Sequence, residues 1–181
     1  MQKYISNLAY ALIALATLGF AVYAPSVAHK SLAGATPSLY AKGAEIAGRV
    51  VGIADGDTLK LLTADRHELR IRLAEIDAPE KAQAYGDVSK RSLSDLAYGK
   101  PALVRVVDTD RYGRIVGHVY VGTLDVSLAQ VGRGLAWAHT KYVTDPQVAK
   151  LEAHARKARI GLWADSTEPV PPWEFRQDSG Q

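Results

Sequence analysis

Residues 45–76, EIAGRVVGIADGDTLKLLTADRHELRIRLAEI, decide the fold of this chain. Glu45–Ala54 is rich in Val and Ile, Asp55-Gly56 is a strong hairpin-turn signal, and Asp57–Leu62 resumes an extended pattern. Thr63–Arg66 makes a second turn. His67–Ile76 then alternates, with Leu69, Ile71 and Leu73 on one face and Arg70 and Arg72 on the other. Three antiparallel strands therefore come in succession, each with one apolar face that demands a core.

Outward from this meander, Gly86–Tyr98 predicts a helix with Val88, Leu93 and Leu96 turned inward and Gly99 as its stop. Pro101–Val107 and Ile115–Val121 read as strands around the turn Asp108–Arg114, and Leu124–Val131 as a short helix. The last helix has Asp145 as N-cap, Pro146 at its first position, Val148, Leu151, Ala155 and Ala158 at helical spacing, and Gly161 as terminator. The tail Thr167–Arg176, TEPVPPWEFR, carries too many prolines for a helix and predicts an extended arm, with Trp163, Trp173 and Phe175 pinned to the surface. Five short strands with three helices predict an α+β, mainly β fold: a small closed barrel of the OB type, whose faces commonly bind oligonucleotides.

Composition narrows the chemistry. The 181 residues contain no cysteine, which excludes disulfide frameworks, thiolate metal sites and cysteine nucleophiles. A net charge of +3 from 22 basic and 19 acidic residues permits a nucleic-acid partner without specifying one. Polarity is unevenly spread, because Lys3, Lys30 and Lys42 are the only charged residues before Glu45. Basic Lys3, the apolar run Leu8–Val22, Pro25 and the small residues Ser26 and Ala28 make residues 1–28 an export signal cleaved after Ala28; an uncleaved membrane anchor is the alternative. Either sends the rest of the chain out of the cytoplasm, to the periplasm or medium or to the outer face of the membrane. Residues 29–44 read as a linker, 45–165 as the folded domain and 166–181 as a Pro-rich tail.

Within the domain, Asp57 of D-G-D-T, Arg72, Asp77 and Glu80 of R-L-A-E-I-D-A-P-E, and Arg114 of D-R-Y-G-R stand out. Each alone is ordinary: a hairpin turn, a strand arginine, a loop start. Together, two aspartates, a glutamate and two arginines are what metal-assisted phosphodiester hydrolysis requires. Hard carboxylate oxygens suit Ca²⁺ or Mg²⁺, guanidinium forks grip phosphate, and a free carboxylate orients or deprotonates water.

The ordered motifs G-R-V-V-G-I-A-D-G-D-T, R-L-A-E-I-D-A-P-E, Y-G, D-R-Y-G-R, G-L-A and G-L-W, spanning about residues 46–165, resemble the staphylococcal nuclease family. The tail P-P-W-E-F-R resembles those of exported bacterial members. The resemblance implies a calcium-dependent phosphodiesterase that cuts DNA and RNA with little sequence preference and leaves 3′-phosphate ends. By motif position it implies Asp57, Asp77 and the carbonyl of Ala78 as calcium ligands, Glu80 acting on the attacking water, Arg72 and Arg114 on the scissile phosphate, and Asp55 supporting the turn behind the ligands. Ala78 stands where the best-known members have Thr, but only a carbonyl is asked of it. Tyr112 and Tyr142 are candidates for stacking on a base or contacting phosphate, against simple packing over the barrel. His67, His118, His139 and His154 show no metal-ligand spacing and read as surface or hydrogen-bonded side chains. Lys81, Lys90, Arg91, Arg111 and Lys141 are candidates for lining a substrate groove. No stable protein partner is implied, and a monomer is expected. The alternative function is a non-catalytic OB-fold module that binds nucleic acid; a membrane-tethered structural protein would leave the five charged residues unexplained.

Overall fold

The computed structural model describes residues 40–178. The export segment and residues 29–39 of the linker lie outside them. Strands β1 (Glu45–Ile53), β2 (Thr58–Thr63) and β3 (Glu68–Leu73) form the antiparallel meander read from the sequence. Strand β4 (Ile76–Asp77) follows, then helix α1 (Gly86–Ala97), β5 (Pro101–Thr109) and β6 (Ile115–Val121). β1 pairs with β5, β5 with β6, and β6 runs parallel to β3 with Ile71 opposite Ile115, which closes five main strands into a mixed barrel. Closure leaves β1, β2, β3, β5 and β6 without a long open edge and turns alternate residues inward. Val50, Leu59, Leu61, Ile71, Val104 and Val119 are wholly buried inside it.

The remaining elements cover one end of the barrel. The two-residue strand β7 (Leu124–Asp125) extends the sheet beside β6, so the predicted helix at Leu124 instead begins at Val126 as α2 (Val126–Gly132), capped by the Asp125 carboxylate. Strand β8 (Trp137–Ala138) pairs with β4, and α3 (Pro146–Ala158) starts as expected, with Asp145 accepting from the Gln147 N–H. Arg159, in the left-handed region, terminates α3 in place of Gly161, which opens a short 3₁₀ turn (Gly161–Trp163). Two burial expectations also change: Val88 is exposed on α1, and Ala158 is exposed on α3.

The largest difference lies in the tail. Pro172–Asp178 is a fourth helix, α4, where an extended arm was expected. The prolines precede or open the helix, where a missing N–H costs nothing and the fixed φ is already helical; the carbonyl of Pro171 accepts from the N–H groups of Glu174 and Phe175 at 3.1 and 3.0 Å. Trp163 is buried with Trp137, Ala155 and Leu162, and Trp173 packs on the outside of this cluster, so the tail is anchored by aromatic burial.

Candidate active site

The register of β2 against β3 places Thr58 opposite Arg72, which brings the end of the D-G-D-T turn beside the guanidinium. Arg72 donates from Nη1 to Asp57 Oδ2 at 2.7 Å and from Nη2 to Asp77 Oδ1 at 3.0 Å. Asp77 returns to this point because the chain reverses after β3 through Glu75, whose φ is 67°. That strained residue is held by its own buried carboxylate, which accepts from the Thr144 N–H at 3.0 Å and from the Thr144 hydroxyl. Asp57 and Asp77 are only 4% and 1% exposed. Buried carboxylates must be paired, and both are: Asp57 also accepts from the Thr58 hydroxyl and the Ala78 N–H at 3.0 Å each. Burial opposes the charge on Arg72, but the two carboxylates more than compensate and hold it firmly protonated.

The turn that carries Asp57 is clamped from behind. The side chain of Gln130, wholly buried on α2, donates to the Gly56 carbonyl at 2.7 Å and to the Ser89 carbonyl at 3.1 Å. A Cβ at Gly56 would stand 1.9 Å from Ser89 Oγ and 2.7 Å from Ala78 Cβ, so only glycine lets α1 come this close. Asp55 accepts from the Asp57 N–H at 3.0 Å, and burial together with the neighbouring Asp57 charge pushes its carboxyl up to about 6.

Glu80 lies in the short loop before α1. Its N–H donates to the side-chain oxygen of Gln83 at 2.7 Å. Its carboxylate, about one-third exposed, accepts from Arg176 Nη1 at 2.6 Å, and Arg176 Nη2 reaches Asp77 Oδ2 at 2.7 Å. Sequence reasoning did not single out Arg176, although the P-P-W-E-F-R motif contains it. His139, expected as a surface or hydrogen-bonded side chain, follows β8, whose pairing with β4 sets it beside the cluster, edge-on to Tyr142 and tilted to Trp173 with ring centroids 4.6 and 5.9 Å away. Burial holds its imidazole below the ordinary value, and its Nδ1 is buried without a partner among the described residues.

The structure thus joins Asp55, Asp57, Arg72, Asp77 and Ala78 directly, and Glu80 through Arg176. Arg114 is organised separately, in the β5–β6 turn. Its Nε donates to Asp110 Oδ2 at 2.7 Å, while Asp110 Oδ1 accepts from the N–H groups of Tyr112 and Arg114 at 2.9 Å each. Burial is the largest single influence and opposes the Asp110 charge, but the bonds to Arg114 and Tyr112 and the Arg114 charge together outweigh it and lower its carboxyl below the usual range. Tyr112 is 64% exposed, with the Arg111 and Arg114 guanidinium groups 4.8 and 5.6 Å from its ring centre. Tyr142 is also exposed, with Lys141 Nζ 5.5 Å from its ring centre. Neither tyrosine is packed into the core.

The closed five-stranded barrel thus carries a cluster of paired carboxylates and arginines where β2, β3 and β4 meet. Residues 70–165 match the family model described as staphylococcal nuclease homologue, a span that includes Arg72, Asp77, Glu80 and Arg114 but neither Asp57 nor Arg176. The chain is 38% identical over 147 residues to micrococcal nuclease of Shigella flexneri, covering 75% of this chain and 83% of that protein. It is 44% identical over 129 residues to an uncharacterized endonuclease of Haemophilus influenzae, covering 71% and 72%, and 41% identical over 147 residues to protein ParB of Escherichia coli, covering 75% and 82%. The chain belongs to the staphylococcal nuclease family and is an enzyme of the nuclease class, a phosphodiester hydrolase.

Proposed function

We propose that this chain is a calcium-dependent nuclease that hydrolyses DNA and RNA with little sequence preference, leaves 3′-phosphate ends and acts outside the cytoplasm. The observation that carries the reading is the Asp57–Arg72–Asp77 cluster, two almost wholly buried carboxylates bridged by one guanidinium. Among the described residues no group of three His, Asp or Glu side chains is arranged to hold a metal. The donor set that fits a cation is therefore two carboxylates completed by backbone carbonyl oxygen and water, all hard oxygens of the kind calcium takes.

In this reading Asp57, Asp77 and the Ala78 carbonyl hold calcium, and Asp55 supports the turn behind them. When bound, the ion supplies Lewis-acid polarisation of a phosphoryl oxygen. Glu80, at the partly exposed rim, accepts a proton from the attacking water or orients it. Arg72 and Arg114 grip the scissile phosphate and stabilise charge that grows on its oxygens. Tyr112 and Tyr142 contact the strand from the rim. Export rests on residues 1–28, and mass spectrometry of the mature amino terminus tests it: a start at His29 supports cleavage, and retained Met1 rejects it.

Digestion of single-stranded and duplex DNA, and of RNA, by the purified chain tests the activity. Cutting that needs calcium, stops with a chelator and falls about a thousandfold in Glu80→Gln supports the assignment. Binding of oligonucleotide without cutting would instead make the barrel a non-catalytic module.

A further inference from the structure

The seven-residue helix α4 delivers a second guanidinium, beside that of Arg72, to the carboxylate cluster from about a hundred residues downstream. Arg176 Nη1 donates to Glu80 Oε1 at 2.6 Å and to Asp77 Oδ1 at 3.4 Å, and Nη2 donates to Asp77 Oδ2 at 2.7 Å. One side chain therefore bridges the two carboxylates assigned above to the cation and to the water. Asp77 is left with one oxygen on Arg72 and the other on Arg176.

Arg176 is not the tail's sole tie to this region. The side-chain N–H of Gln83 donates to the Val170 carbonyl at 3.1 Å, Arg156 pairs with Glu168 at 2.6 Å, and Trp173 packs against the Trp137–Trp163 cluster. Gln83 also accepts the Glu80 N–H, so the same side chain ties the tail to the loop that presents Glu80. Helix α4 is thus docked beside the site by groups that a change at Arg176 leaves in place.

We infer that Arg176 is a positioning residue of the hydrolytic site, holding the Glu80 carboxylate against Asp77 and setting by its charge how tightly the cluster binds a divalent cation; the inference rests on the nuclease reading above. Two physical arguments fix its sign. The carboxylates of Asp57, Asp77 and Glu80 face two guanidinium groups, Arg72 and Arg176. Removal of Arg176 raises the net negative charge of the cluster and favours a bound cation. The planar fork also spans two acceptors at once, which a point charge on a flexible stem does not reproduce. Without it, Glu80 is no longer fixed against Asp77, and the turnover step suffers more than substrate binding.

The test compares the full chain with Arg176→Gln and Arg176→Lys, first by calorimetric titration with calcium chloride in the absence of nucleic acid, then by kcat and KM on DNA. Arg176→Gln is expected to bind calcium about tenfold more tightly and to lose about tenfold in kcat with KM little changed. Arg176→Lys should restore calcium affinity toward the parent value while recovering only part of kcat. Calcium binding in Arg176→Gln that is unchanged or weaker, in a protein with unaltered near-ultraviolet circular dichroism, overturns the inference, as does an unchanged kcat. If the parent chain cuts nothing, the nuclease reading fails, and the calcium isotherm alone decides what Arg176 does.

Discussion

Two hairpin turns of this barrel carry the same kinds of residue to very different effect. The β1–β2 turn holds Asp55, Gly56 and Asp57 against α1 and α2, with Asp57 and its partner Asp77 almost excluded from solvent. In the β5–β6 turn Tyr112 is exposed, the Asp110 and Arg114 side chains keep 18% and 19% of their surface open to solvent while paired with each other, and a Cβ at Gly113 would meet nothing within 4 Å. The first turn is positioned by packing from outside itself. The second is positioned by one aspartate that binds two of its own N–H groups and its own arginine. In the first, function and stability are therefore inseparable; in the second they separate.

The largest break in this comparison comes from the two arginines. Arg72→Ala leaves two buried carboxylates short of their shared partner and should cost about 3–5 kcal/mol in urea unfolding, with calcium restoring part of it. Arg114→Ala leaves one part-buried carboxylate, Asp110, which keeps the N–H groups of residues 112 and 114 as donors, and should cost less, about 1–2 kcal/mol. Both should lose on the order of a thousandfold in nuclease rate. Equal stability losses in the pair would remove the distinction drawn between the turns.

Glycine replacement probes the same contrast at smaller size. Gly56→Ala drives a methyl into Ser89 and Ala78 and should lower stability by about 1–3 kcal/mol and weaken calcium binding, read by thermal melting with and without the ion. Gly113→Ala meets open space and carries only the strain of φ 74°, about 1 kcal/mol, with activity nearly intact.

Charge at Asp110 sharpens the account of the second turn. Its lowered carboxyl means that the ionised form is favoured by folding, so the stabilisation is fully present above the ordinary aspartate value and fades as pH falls through the lowered one. Asp110→Asn should therefore unfold at lower urea than the parent at pH 7, and the gap should close under strongly acid conditions; a gap that persists there would assign the effect to the turn's N–H bonds. Smallest of all, Tyr112→Ala should raise KM for single-stranded DNA a few fold and leave melting unchanged, since its ring rests on Arg111 and Arg114 outside the core.

Much of the molecule was legible before its structure. The meander and the α3 cap are local matters, since alternation and turn chemistry act over a few residues; the carboxylates and arginines were legible only as residue types in ordered motifs. Local reading failed where a distant partner decides. Counting prolines in the tail argued against a helix, but the prolines sit ahead of and at its first turn, and Trp173 finds its burial against residues 137–163. Gln130 and Glu75 look like ordinary polar residues, yet each is a buried anchor whose partners lie in other elements. His139 enters the neighbourhood of Asp77 only because β8 pairs with β4.

The amino-acid sequence by itself determined that this chain builds a mainly β barrel carrying acidic and basic groups suited to phosphodiester hydrolysis, because strand period and hydrolytic chemistry are both written in residue type and spacing. Tertiary structure alone decided which carboxylate meets which guanidinium, that Arg72 serves both Asp57 and Asp77, and that Arg176 reaches Asp77 and Glu80 from the end of the chain. The reason is range. A hydrogen bond near 3 Å is set by strand register and helix docking, and those are fixed by burial summed over the whole core.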